Sequence, residues 1–303
     1  MTSPAPQPSP PLEPGLVILG AGTPRPDADR FGSSYLLDLG GERLLFDCGP
    51  ATTQKLARAG FRSTEVERLF FTHHHFDHNA DYAAFALSRW DQGADLIPDL
   101  RVHGPWPTQE VTERLFGPDG AFAFDIAARV NHPPSHIAHV QRGGALPRRP
   151  PRFEVQVLEP QSELTGDAWT IRTARVEHAQ PYLDSLAYRI DTSAGSIVLS
   201  GDTRPCQSLI DLASGADTLV MMCWDEQASI ERLGLDRYLT GTVSAGEVAA
   251  AAGVRRLVLS HISPSLARDR RSAALAQAGQ AFGGEVVVAD ELTRLALSEA
   301  DAR

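Results

Sequence analysis

A chain of 303 residues, 42% hydrophobic and 22% charged, can bury a large core, which excludes a disordered or fibrous protein. Acidic residues outnumber basic ones by 38 to 28, for a formal charge of -10. The mean field repels polyanions, so a small-molecule substrate is expected and nucleic acid is not.

Residues 1–15 are Pro-rich, with neither a basic flank nor an apolar run, and are expected to form a disordered tail. No stretch of 18 apolar residues follows, so no membrane span is expected. Cys48, Cys206 and Cys223 are odd in number and widely spaced. That argues against a disulfide framework or a thiolate zinc site and suits a reducing, cytoplasmic setting.

Folded structure is expected from Leu16, as one domain over residues 16–303. LVILG reads as a buried strand ended by Gly20 and Gly22. SSYLLDLGGERLLFDCG reads as a hairpin around Gly40 and Gly41, its second strand ending at Asp47. VERLFFTHHH is a strand that runs straight into histidines, and NADYAAFALSRW has Tyr82, Phe85 and Trp90 at helical spacing. Residues 92–151 read as an irregular insertion suited to a lid or a pocket wall. From Phe153, RFEVQVLEP, WTIRTARVEH, SLAYRID, GSIVLSGDT, TLVMMCW, RRLVLSH and EVVVAD are successive strands. Ser244 to Gly253 reads as a helix with a Ser244/Glu247 capping box and a glycine stop. Strands interspersed with helices, without an internal repeat, give a layered α/β protein.

The chemistry is concentrated in THHHFDHNAD, where His73, His75, Asp77 and His78 form the pattern HxHxDH. Imidazole and carboxylate donors suit zinc, manganese or iron, and donors this closely spaced converge on a small volume. A polar surface loop is the weaker reading, because clustered histidines would gather charge without a use. His178, Asp202 and His261 each follow an apolar strand, and strand ends along one sheet edge are where open α/β folds collect functional groups.

HxHxDH followed by these three residues resembles the ligand series of the metallo-β-lactamase superfamily, over about Gly20 to Pro264. The resemblance implies a four-layer αββα sandwich with two divalent ions, zinc foremost and manganese or iron as alternatives. His73, His75 and His178 would hold one ion, Asp77, His78 and His261 the other, and Asp202 would bridge them. Asp77 and Asp202 are thereby the candidate catalytic carboxylates, with water activated between the ions as nucleophile. Asp47 either orients a ligand imidazole or stabilises its turn.

GAGTPRPDADRFGSSYLLDLGGERLLFDCG, THHHFDHNAD, SGDTR and LSHISP are similar to the ribonuclease Z-like branch. That branch carries a His-Glu pair for proton transfer where Met221 and Met222 stand, a partner histidine that is missing between His178 and His261, and a tRNA-gripping arm where only DTSAGSIVL occurs. With the negative charge, these departures argue against tRNA processing. The expected reaction is therefore hydrolysis of a small ester, lactone or related acyl compound. Cleavage of a small or cyclic phosphodiester is the alternative, and iron redox chemistry or a non-catalytic binding role rank below it. Trp224 and Asp225 are candidate substrate contacts, or else a loop anchor with a solvated carboxylate. Tyr182 is a candidate oxyanion donor, with core packing as the alternative. A homodimer is left open.

Overall fold

A computed structural model describes residues 14–297. Its strands are β1 (Gly15–Gly20), β2 (Ser34–Asp38), β3 (Arg43–Phe46), β4 (Arg68–Phe70), β5 (Leu100–Gly104), β6 (Phe153–Val157), β7 (Glu163–Thr165), β8 (Trp169–Arg175), β9 (Leu186–Thr192), β10 (Gly195–Leu199), β11 (Thr218–Met222), β12 (Arg256–Ser260), β13 (Glu285–Val288) and β14 (Arg294–Ala296). Between them lie α1 (Thr52–Arg58), α2 (Phe76–Asn79), α3 (Tyr82–Gly93), α4 (Thr108–Phe116), α5 (Ala123–Asn131) and α6 (Pro133–Gln141). The second half adds α7 (Gln207–Ala213), α8 (Gln227–Arg232), α9 (Thr242–Ala252), α10 (Pro264–Ala267) and α11 (Arg271–Phe282).

Two seven-stranded sheets result, in the orders β14-β1-β2-β3-β4-β5-β6 and β13-β12-β11-β10-β9-β8-β7. The run LVILG shows why they stack. Leu16 and Ile18 point into the space between the sheets, where they meet Phe46, Phe70, Ile171, Tyr188 and Ile190. Val17 and Leu19 point the other way and pack with Leu56, Tyr82 and Phe85 of the outer helices. A strand buried on both faces must be apolar throughout, because alternate side chains enter different layers. On the far sheet, Val198, Leu219, Met221, Leu257 and Leu259 face Leu209, Val248, Ala249, Ala274 and Ala278 of α7, α9 and α11. The layers run helix, sheet, sheet, helix, which is the expected αββα sandwich.

The hairpin of β2 and β3 pairs Asp38 with Arg43 as expected. The tight hairpin of β9 and β10 pairs Thr192 with Gly195 across a two-residue turn, Ser193–Ala194. Residues 92–151 depart from the irregular reading. β5 pairs in parallel with both β4 and β6, inside the first sheet, and α4 packs against β5 and β6. Helices α4, α5 and α6 have nine residues each, and Pro and Gly at their junctions break up the pattern.

The start of α9 also differs. Gly241 is the N-cap, and the Ser244 hydroxyl accepts its N–H at 3.0 Å, so Ser244 lies one turn inside the helix. Gly253 ends α9 in the left-handed region at φ 63 as expected. Of the Pro-rich tail, residues 1–13 lie outside the described residues, and Gly15 already belongs to β1. Among the described residues, no helix is long and apolar enough to cross a membrane.

Candidate metal centre

Strands β1, β3, β4 and β5 of the first sheet run in one direction, as do β8, β10, β11 and β12 of the second. Their C-terminal ends carry the polar residues: Asp47 after β3, Thr72 and His73 after β4, His178 after β8, Asp202 after β10 and His261 after β12. Short helix α2 then returns Asp77 and His78 to the same place. Asp47 and His261 take positive φ values of 56 and 50, a costly backbone state for residues with a Cβ that lets each strand end turn its side chain inward.

Two groups of donors form. The ring nitrogens of His73, His75 and His178 converge on one point, with His75 Nδ1 at 3.1 Å from Nε2 of both His73 and His178. Tetrahedral zinc with Zn–N of 2.0–2.1 Å would set nitrogens about 3.3 Å apart. Asp77, His78, Asp202 and His261 form the second group. Nε2 of His261 lies 3.0 Å from Asp77 Oδ2 and 3.1 Å from Asp202 Oδ2. Asp202 Oδ2 is also 3.7 Å from His178 Nε2, so this carboxylate stands between the groups.

The donor atoms fit cations. His78 Nε2 and Asp202 Oδ1 lie 3.3 Å apart, yet both are buried without a hydrogen-bond partner, as is Asp77 Oδ1. Buried polar atoms left unpaired are costly, and a shared cation satisfies them together. Burial, with the charge of His78 adding to it, holds His73 well below the ordinary histidine range. Burial likewise pushes His178 down to about 4, so both rings are neutral donors near pH 7. For Asp202 burial favours the protonated acid, but His261 and His78 outweigh it and hold the carboxyl well below its usual range. His78 shows the converse: burial opposes its charge, and the carboxylates of Asp202 and Asp47 together raise it well above normal. A site that draws a proton this strongly offers the same place to a metal cation.

Asp47 accepts from His78 Nδ1–H at 2.7 Å, from the Thr72 amide at 2.7 Å and from the Thr72 hydroxyl at 2.9 Å. This fixes the His78 tautomer and leaves Nε2 facing the donor group. Of the two roles open to Asp47, the orienting one matches the structure.

Other candidates fall differently. Trp224 stacks on the His261 ring, with centroids 5.8 Å apart, so it borders the site. Asp225 is paired with Arg270 at 2.8 Å and accepts from Ser263. That pair fixes the loop after β11, and Arg270 left no signal in the sequence. Tyr182 is not packed in the core but exposed, in the turn that follows His178. His74 bonds the Thr108 hydroxyl at 2.8 Å, outside both donor groups. Cys48 is buried, and burial pushes its thiol well above the usual range. Met221 and Met222 are core residues, and Met222 Sδ accepts the Thr203 N–H at 3.2 Å, which steadies the Asp202 loop.

The Metallo-beta-lactamase superfamily profile matches residues 27–261. A protein named Ribonuclease Z from Mycolicibacterium gilvum (strain PYR-GCK) is 33% identical over 287 residues, covering 92% of this chain and 95% of that one. Among solved structures, the metallo-beta-lactamase fold protein YhfI from Bacillus subtilis superposes with a TM-score of 0.71 at 21% identity, covering 93% and 99% of the two chains. The short form of human tRNase Z superposes with 0.69 at 17% identity, covering 94% and 100%. At these identities the two superpositions show the fold.

The expectation that nucleic acid is no partner is overturned by relatives named Ribonuclease Z that align along nearly the whole chain. The charge of -10 is a sum over the entire surface and does not determine the field at one edge. With its sandwich fold, its two donor groups and these full-length relatives, the chain belongs to the metallo-beta-lactamase superfamily, in the Ribonuclease Z-like branch, and is a metal-dependent hydrolase.

Proposed function

We propose that this enzyme hydrolyses phosphodiester bonds in RNA, with two divalent ions, zinc foremost, held by the seven donors. His73, His75 and His178 would hold one ion and Asp77, His78 and His261 the other, with the Asp202 carboxylate standing between the two groups. The observation that carries the reading is the meeting of two complete donor groups in a chain one third identical to proteins named Ribonuclease Z. This replaces the expectation of ester or lactone hydrolysis, which rested on the intact ligand series, the departures at Met221, Met222 and the β9–β10 turn, the missing partner histidine and the acidic net charge.

A pair of divalent ions supplies Lewis acidity at phosphorus and activates water for in-line displacement. The chain's own residues set the geometry. Asp47 holds the His78 ring in one tautomer, and Thr72 holds Asp47. Met222 anchors the backbone beside Asp202, while Trp224 shields one side of His261. Three buried free thiols suit a reducing compartment, and we place the enzyme in the cytoplasm on that ground.

A second reading, cleavage of small or cyclic phosphodiesters, is favoured by the two-residue turn at Ser193–Ala194, which projects nothing toward a large substrate. One experiment separates the readings. Zinc- or manganese-loaded protein is incubated with a precursor tRNA bearing a 3′ trailer, bis(p-nitrophenyl) phosphate and an aryl lactone. Trailer removal supports the RNA reading; turnover of only the small phosphodiester selects the second, and turnover of only the lactone rejects both.

A further inference from the structure

The sheet edge that carries the donors also carries aromatic side chains the fold does not use. Phe76 is 61% exposed, Trp106 51% and Tyr182 81%, whereas Phe46, Phe70, Phe71, Tyr82 and Tyr188 are fully buried. Large rings facing water forgo the burial they normally obtain, and aromatic rings left exposed at a functional edge are suited to contact with a substrate.

Phe76 and Tyr182 stand in the chain next to residues of the first donor group, and Trp106 adjoins the strand end that leads into it. Phe76 lies between His75 and Asp77 and opens α2. Tyr182 follows His178 by four residues in a turn closed by its N–H to the Ala179 carbonyl at 3.0 Å. Trp106 sits in the turn between β5 and α4. That turn packs so closely on the histidine strand that a Cβ at Gly104 would lie 3.0 Å from Phe71 Cβ. Its Thr108 hydroxyl contacts His74. Phe124 and Tyr238 are also exposed, but on segments that contribute no donor.

We infer that Phe76, Trp106 and Tyr182 form a stacking platform for the unpaired nucleobases that flank the scissile phosphate. The inference rests on the RNA reading above. Every base presents a π-face, so aromatic stacking grips single-stranded RNA regardless of sequence. It also suits an edge where Arg204, Arg268 and Arg270 are already paired with Glu177, Asp27 and Asp225, which leaves less of their charge for phosphates. With only two residues in the β9–β10 turn, no projecting arm grips the RNA there, and the rim of the site must do so.

The test compares metal-loaded full-length protein on a stem-loop RNA with an unpaired 3′ extension and on bis(p-nitrophenyl) phosphate, which has no base to stack. Trp106→Ala and Tyr182→Ala should each lower the RNA-to-small-substrate ratio of kcat/KM on the order of tenfold, mainly through KM. Tyr182→Phe should restore the ratio, because the ring and not the hydroxyl is used. Because Phe76 adjoins the donors, it is tested as Phe76→Leu, with the fold checked by circular dichroism. Single-stranded oligouridylate should quench the protein's tryptophan fluorescence, and Trp106→Leu should remove most of that quenching.

RNA cleavage by the parent with unchanged ratios in the variants overturns the platform and leaves the RNA reading intact. A parent that neither cleaves RNA nor is quenched by it overturns both. Quenching at Trp106 without cleavage retains the platform and rejects the reaction.

Discussion

Nδ1–H of His78 donates to Oδ2 of Asp47 at 2.7 Å, with both side chains buried. That single bond decides which imidazole nitrogen faces Asp202 and the donor group.

Asp47→Ala should therefore lower metal affinity by about 10–100-fold while leaving all seven donors in place. Asp47→Asn, which keeps a hydrogen-bonding side chain beside Thr72, should fall between the two. Competition against a fluorescent zinc chelator measures this, and parental affinity in a folded Asp47→Ala protein would contradict the orienting role.

Two donor groups imply two ions. Elemental analysis of zinc-loaded protein should find about two equivalents, and His75→Ala about one, since a ring of the first group is removed. Phosphodiesterase activity should vanish in both His75→Ala and chelator-treated protein, and only the latter should recover with zinc or manganese. Full activity after exhaustive chelation would refute a metal-dependent site.

Lys55 and Glu291 form a buried ion pair at side-chain exposures of 7% and 5%, and Glu291 also accepts the Phe31 N–H at 2.6 Å. Lys55→Met leaves the carboxylate buried without its cation and should cost about 3–5 kcal/mol. Lys55→Met combined with Glu291→Gln should regain part of the loss, because the amide still accepts from Phe31 but carries no charge. Urea unfolding midpoints decide this; a double variant weaker than Lys55→Met alone would show that the charge is not the source.

His103 stacks on Phe70 with centroids 4.6 Å apart. Burial, with help from Arg68 and Arg101, lowers it from 6.5 to about 4. Between these values the unfolded chain binds the proton and the folded one does not, so stability rises with pH across that window and is complete above 6.5. The contribution lost on acidification is about 3 kcal/mol at most. His103→Phe should flatten that part of the urea-stability profile between pH 4 and 6.5. An unaltered slope would assign the acid sensitivity to other groups.

The metal centre was legible in the sequence because its chemistry is local. A cation needs several donors in a small volume, and HxHxDH brings four together within six residues at a strand end. His178, Asp202 and His261 were legible for a related reason: each follows a strand, buried at alternate positions in β8, over the last three residues of β10 and throughout β12. Those same runs implied a layered α/β protein and the family resemblance implied the sandwich, in which Leu16 and Ile18 enter one layer and Val17 and Leu19 another.

Contacts between residues distant in the chain were settled only in three dimensions. Asp47 meets His78 across 31 positions and Asp225 meets Arg270 across 45, and no spacing rule links either pair. Tyr182 read as an oxyanion donor or else as core material, yet it stands exposed in the turn after His178. Residues 92–151 looked irregular because Pro and Gly stand at the junctions of their short helices, while β5 acquires its place only by pairing with β4 and β6. Donor identity is a property of neighbouring residues, whereas orientation, pairing and exposure depend on which strands and loops the fold brings together.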